Sequence, residues 1–359
     1  MQQMFFDAGG RARLADREPA AKTIPFEFGG QAGEYFKIWI VNVLLSILTL
    51  GIYSAWAKVR RKRYFYGNTR LAGASFEYLA APVQILKGRL IALAIFVIYV
   101  IAGNLFPPLG ALFGLAFVIL LPWLVVRAHR FNARYSAYRN IRFAFVGGYG
   151  EAIWAYVGLP VLSAITLGLL YPYYACRRSR FVVHNSLYGT TRFGLSASWR
   201  AFYTVYLKAA GLVLGALLVA ALVFGLGRGL SKPAAPGAVL AIVVVSGVTL
   251  IIGYLAALTY VRTAISNLVW SHTSVGEHRF HSSLRSSRML WLYASNALAI
   301  LLSLGLLIPW AQIRVTRYRL DNLKLLPAGE LDGFVAGEQQ KVGAAGEEIS
   351  DFFDIDIGI

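Results

Sequence analysis

The chain has 359 residues, 57% of them hydrophobic and only 14% charged, with a formal net charge of +18. A soluble protein carries about a quarter charged residues, so these values exclude an ordinary set of globular domains and point to a polytopic membrane protein. The bases gather at the ends of apolar runs, where the positive-inside bias puts them, so no nucleic-acid partner is expected.

Residues 1–25 mix acids with bases and lack a long apolar stretch, which reads as a short cytoplasmic arm. Phe26-Glu-Phe28 then leads into an apolar segment, Tyr35–Leu50, and on to Thr49-Leu-Gly51 and a run holding five bases among residues 58–63. This pattern recurs. LTLGIYSAWAKVRRKRY (48–64), ITLGLLYPYYACRRSRF (165–181) and LSLGLLIPWAQIRVTRY (302–318) align on Gly51, Gly168 and Gly305. Five places on stand Trp56, Tyr173 and Trp310. Nine and twelve places on stand Arg60 and Arg63, Arg177 and Arg180, Arg314 and Arg317, followed by Asn68, Asn185 and Asn322. Upstream, Phe26-Glu-Phe28 matches Phe143-Ala-Phe145, and Glu34 matches Glu151; copy three keeps Phe280 but has Arg288 at the acid's place.

Two apolar segments separate successive copies, near 90–106 and 109–126 and again near 205–227 and 237–260. The organisation expected is therefore one repeat unit over 26–130, a second over 131–262, a final half repeat over 263–327, and a tail from 328 to 359. The tail holds eight acids and one base, Lys341, and its Gly- and Ala-rich first half reads as a flexible linker. Its end, DFFDIDIGI, offers a docking segment for a partner protein, against the plainer reading of a solvated acidic tail.

The fold expected is an all-α polytopic membrane protein with four full spans, three broken or re-entrant motif helices and short cytoplasmic β-like Phe-x-Phe segments; seven straight spans are the alternative. If each motif returns to the side it left, 31 bases lie on one side and two, Arg228 and Lys232, on the other; seven crossings would split them 14 to 19. The positive-inside rule favours the returning form and puts both termini in the cytoplasm. The apolar approach to Gly51 is also short, about 24 Å as helix against a core of about 30 Å.

The arginines at i, i+3 share a helix face, and with neighbouring Trp and Tyr they suit a headgroup layer. Arg60, Arg63, Arg177, Arg180, Arg314 and Arg317 are thus candidate contacts for anionic membrane lipids, against a purely topological anchoring role. Glu34 and Glu151 are candidate structural acids, either at helix starts or paired with Arg63 and Arg180. Cys176 stands where the other copies have Val59 and Ile313 and reads as a small apolar residue. His272, His278 and His281 do not follow a metal-ligand spacing, and the glycines of residues 225–230 follow no strand, so no metal, nucleotide or other cofactor is expected. With no catalytic constellation visible, an enzyme is not expected.

TLGIYSAWAKVRRKRY, with FEFGG (26–30) before it and NTRLAG (68–73) after it, resembles the YjgN-like family of bacterial inner-membrane proteins, a domain of unknown function. The resemblance runs from Phe26 to Leu326 and includes the ending GEEISDFFDIDIGI; Tyr173 and Tyr174 in copy two depart from the Trp-Ala of the other copies. It implies an inner-membrane location and no particular activity. Two activities are weighed on the residues themselves: transport or handling of a lipid or amphipathic small molecule, and a membrane scaffold whose tail docks a partner such as a protease.

Overall fold

A computed structural model describes residues 23–230 and 236–353. The cytoplasmic arm expected at the N-terminus lies almost wholly outside them, as does the last part of DFFDIDIGI. The all-α expectation is corrected: ten short strands close into an antiparallel barrel, and the two Phe-x-Phe segments, Phe26-Glu-Phe28 and Phe143-Ala-Phe145, lie in two of its five longer strands.

The strands alternate in length. Five-residue strands are β1 (Ile24–Phe28), β3 (Ala74–Tyr78), β5 (Ile141–Phe145), β7 (Thr191–Leu195) and β9 (His278–Ser282). The shorter partners are β2 (Thr69–Leu71), β4 (Ser136–Tyr138), β6 (Ser186–Tyr188), β8 (Thr273–Val275) and β10 (Leu323–Leu326). Two-residue turns join β2 to β3, β4 to β5, β6 to β7 and β8 to β9. Ala72-Gly73 and Arg139-Asn140 have positive φ at both positions, the twist that suits a tight hairpin. Pairing of β1 with β10 closes the ring.

At the other rim, every strand pair is joined through helices. In chain order these are α1 (Ala32–Leu48) with α2 (Ser54–Gly67), and α3 (Pro82–Leu105) with α4 (Pro107–Arg134). Next come α5 (Tyr149–Ile153), which runs through a π turn at Trp154–Gly158 into α6 (Leu159–Ile165), and its return helix α7 (Tyr171–His184). Last are α8 (Trp199–Leu230) with α9 (Pro236–Ser271), and α10 (Ser286–Leu302) with α11 (Ile308–Asp321). Five helical hairpins therefore rise from one rim, in the order short, long, short, long, short.

The long hairpins supply four helices of 24 to 35 residues that are apolar and long enough to cross a membrane, with few residues buried inside the protein. The short hairpins turn back at three matching corners. Gly51, Gly168 and Gly305 have φ of +90°, +88° and +91°, each preceded by a leucine also at positive φ. Glycine takes this conformation at little cost. Before each corner a hydroxyl ties the two arms: Thr49 Oγ1 accepts from Tyr53 N, Thr166 Oγ1 from Leu170 N and Ser303 Oγ from Leu307 N. Leu50, Leu167 and Leu304 at the tips are more than nine-tenths exposed, which suits insertion into the near half of a bilayer. Pro172 and Pro309 sit in the first turn of their return helices, where a missing N–H leaves no gap.

The tail is not a flexible linker where it is described. Leu331–Phe353 form α12, which covers the turn end of the barrel, with Val335 buried and Leu331 and Phe334 packed on the barrel core.

Candidate functional site

Inward positions of the five long strands carry one phenylalanine each: Phe26, Phe76, Phe143, Phe193 and Phe280. Neighbouring rings stand 6.2 to 6.4 Å apart at four of the five steps around the barrel. The fifth step, from Phe76 to Phe143, is bridged by Tyr138 and Tyr188. Ile141, Val275 and Leu325 fill the layer beyond them. A ten-stranded barrel has room for such layers, so the lumen is a packed core with an aromatic floor facing the helices.

Above that floor lies a cavity of about 650 Å³, bounded by the barrel mouth and the ends of the return helices. Its lower wall is Phe26, Phe76 and Phe143; Trp270 and Leu320 lean in from α9 and α11. A rim of hydroxyls, Thr69, Ser136, Ser186 and Ser282, surrounds the mouth. Thr69, Ser136 and Ser186 also donate to carbonyls one turn back, ending their helices. His129, Asn132 and Arg319 supply stronger polar groups. Lys62 donates to Asn132 Oδ1 at 2.6 Å and sits 4.4 Å over the Tyr78 ring. Burial, with Lys58 and Arg61 close by, pulls the Lys62 pKa down to about 8. Among the described residues, no aspartate or glutamate lines this cavity. It is amphipathic, and its one charged lining group, Arg319, is positive.

The six repeat arginines divide into two sets. Arg63 Nη2 donates to the Ala80 carbonyl, Arg180 to Ala197 and Arg317 to Gly30. Each one binds the loop after the next long strand, tying its hairpin to the following one. Arg130 to Gly147 and Asn267 to Leu284 repeat the contact in the long hairpins, so all five hairpins are joined in this way. These side chains staple the ring of hairpins together. Sequence comparison missed Arg130 and Asn267, although each lies 17 residues before its acceptor, as Arg63 and Arg180 do.

Arg60, Arg177 and Arg314 lie nearer the tips. Arg177 and Arg314 lie over Tyr173 and Trp310, 5.3 and 5.0 Å from the ring centroids, and Arg60 bonds the Tyr53 hydroxyl. Trp56 stacks on Tyr53. The acids do not meet the arginines suggested for them: Glu34 accepts from Tyr64 and Glu151 from Asn185. Asn68, Asn185 and Asn322 cap their return helices by donating to the carbonyl four residues back. Cys176 is buried against Leu195 and Phe202.

At the opposite end, α12 holds both acids of the only ion pairs among the described residues, Arg139–Asp332 and Lys341–Glu338. Glu338 is 1% exposed and accepts from the backbone and hydroxyls of Thr190 and Thr191 in the β6–β7 turn. Burial alone would raise its pKa; the bonds from Lys341, Thr191 and Thr190 outweigh that and hold it near about 2. His278 accepts from Ala328 N and meets the Phe334 ring edge-on.

A family model described as a bacterial protein of unknown function, DUF898, matches residues 23–352. The chain is 25% identical over 374 residues to the inner membrane protein YjgN of Salmonella typhimurium strain LT2, covering 88% of this chain and 91% of that protein. It is 32% identical over 147 residues to the inner membrane protein YjgN of Escherichia coli O157:H7, covering 41% and 37% of the two chains. No solved structure matches. Together with the four apolar helices, these relatives place the chain in the inner membrane.

Proposed function

We propose that this chain, which belongs to the DUF898 family of bacterial proteins, holds and passes on an anionic amphipathic molecule of the membrane, with the barrel and α12 on the cytoplasmic side. The cavity at the barrel mouth carries this reading: it offers apolar walls, a hydroxyl rim and the Arg319 guanidinium, with no acid among the described residues. An amphiphile with a negative head matches both halves of that lining. The base count supports the orientation, since all five hairpins leave one rim and bases crowd that end. The adaptor alternative draws no support from residues 331–344, whose Asp332 and Glu338 are taken up by the barrel itself.

The test is lipid retention after purification in mild detergent. Wild-type protein retains anionic phospholipid above its share of the membrane, and Ala133→Trp, which fills the cavity from α4, lowers the amount retained. Lipid in bulk proportion, or retention unchanged by the filling, would refute the reading.

A further inference from the structure

A ring of five hairpins that alternates short and long must break its alternation once. The break falls where β10 meets β1, so the first and fifth hairpins, both short, stand side by side. Tyr35 on α1 reaches across to Gln312 on α11 at 2.8 Å. Among the described residues, no helix long enough to cross the membrane separates them on that flank, whereas a long hairpin stands at every other boundary between hairpins.

A groove of about 630 Å³ opens there, lined among others by Asn42, Ser46, Lys58, Arg61, Arg89 and Gln312. Lys58 and Arg61 lie one turn apart on α2, and Arg89 arrives from α3, held by Ser54 Oγ. Three cations converge, and no acid among the described residues lines the groove. Asn42 is 7% exposed, and its side-chain oxygen has no hydrogen-bond donor among the described residues. The matching residue of the fifth hairpin, Asn296, receives Arg314 at 3.1 Å. In the first hairpin the matching arginine, Arg60, turns to Tyr53 instead, leaving the Asn42 acceptor open. Buried acceptors are nearly always paired, so an unpaired one beside a cationic groove points to a ligand that carries a donor.

The groove is also linked to the barrel mouth by shared lining side chains. Arg61 and Gln312 line a second cavity of about 560 Å³, which shares Phe65 and Thr316 with the cavity above the phenylalanine floor. We propose that this groove is a headgroup site for an anionic phospholipid with a hydroxyl-bearing head, of the phosphatidylglycerol kind, and the lateral way from the bilayer to the barrel mouth. The phosphate meets Lys58, Arg61 and Arg89. A head hydroxyl donates to Asn42. An ethanolamine head would bring a further positive charge beside three cations and is disfavoured. The proposal rests on the lipid-holding role of the barrel-mouth cavity and adds the lipid class and the path.

The test uses full-length protein in nanodiscs of phosphatidylethanolamine doped with phosphatidylglycerol, with bound lipid counted by native mass spectrometry. Wild type retains phosphatidylglycerol preferentially; the triple variant Lys58→Gln, Arg61→Gln, Arg89→Gln loses about tenfold of that preference. Asn42→Leu lowers discrimination between the two heads while phospholipid still binds. Should the triple variant fail to fold, a photo-crosslinking residue at Val43 in an otherwise native chain captures phosphatidylglycerol and not phosphatidylethanolamine. Glycerol 3-phosphate and inorganic phosphate are added as competitors. Displacement by either at concentrations comparable to the lipid assigns the site to soluble phosphate and overturns the lipid proposal, as does unchanged preference in the triple variant or equal crosslinking of both lipids. If Ala133→Trp lowers retention and the triple variant does not, the cavity reading stands and the path fails. The reverse pattern retains the groove and rejects the cavity.

Discussion

Glu338→Gln is the sharpest perturbation available to the closed end of the barrel. The wild-type carboxylate accepts from Thr190 N at 2.8 Å, Thr190 Oγ1 at 2.9 Å, Thr191 Oγ1 at 2.8 Å and Thr191 N at 3.2 Å, and pairs with Lys341 at 3.0 Å. An amide of the same shape keeps one acceptor, but turns an NH2 toward groups that are themselves donors. A pKa held at about 2 against 4.5 corresponds to about 3 kcal/mol of preference for the charged form when α12 is docked. Losing it raises the undocked fraction of α12 about a hundredfold. Hydrogen exchange over residues 331–344 and the 189–191 turn measures this directly, with Glu330→Gln as a control for the same charge change at an exposed position. The sign with pH follows from the lowered pKa: the contribution is complete above about 4.5 and is lost as pH falls toward 2, so wild-type protection is the same at pH 7 and pH 5.5. Unchanged exchange in Glu338→Gln would show that apolar packing by Leu331, Phe334 and Val335 alone holds the helix.

Arg317→Met leaves the Gly30 carbonyl without its donor and lowers thermal stability by about 1–3 kcal/mol, whereas Arg60→Gln, nearer a hairpin tip, changes the melting temperature little. Gly168→Ala meets no neighbouring atom, so its cost is conformational, about 1 kcal/mol, read as a small fall in melting temperature. Phe280→Ala opens the aromatic floor and costs about 3 kcal/mol or more by denaturant titration. Lys62, with a pKa near 8, is bonded to Asn132 of the cavity wall and loses its charge as pH rises from 7 to 9; titrated by calorimetry, anionic-lipid affinity weakens over that window more in wild type than in Lys62→Gln.

The short hairpins are legible because their corners need particular residues. A glycine at φ near +90° and a hydroxyl two places before it recur as Thr-Leu-Gly, Thr-Leu-Gly and Ser-Leu-Gly, and the staple arginines keep their distance from that glycine. The long hairpins hide the same unit. Their helices are stretched to membrane length, and their signatures shrink to Phe76 and Phe193 and to Arg130 and Asn267. Three-residue strands such as Ser136–Tyr138 are too short to show a period of two, and ring closure depends on a pairing between residues about 300 apart. The stapling role of Arg63, Arg180 and Arg317 does not show in composition, since nothing local reveals that a carbonyl of the next hairpin waits beside each one. The tail looks flexible from its glycines and alanines; the helix exists through what it docks on.

Pairing of the first strand with the last has a consequence for biogenesis. Ile24 faces Leu325, so β1 has its β2 neighbour early in synthesis but waits for almost the whole chain before its other edge is covered. Throughout that interval the growing sheet is an open arc with two bare edges, while the helices behind it have already entered the bilayer. Such edges recruit foreign strands. A chain ended before Leu323 would therefore insert its membrane helices and still present permanently unfilled backbone positions beside the membrane, the form of this protein most exposed to aggregation and to surveillance by proteases.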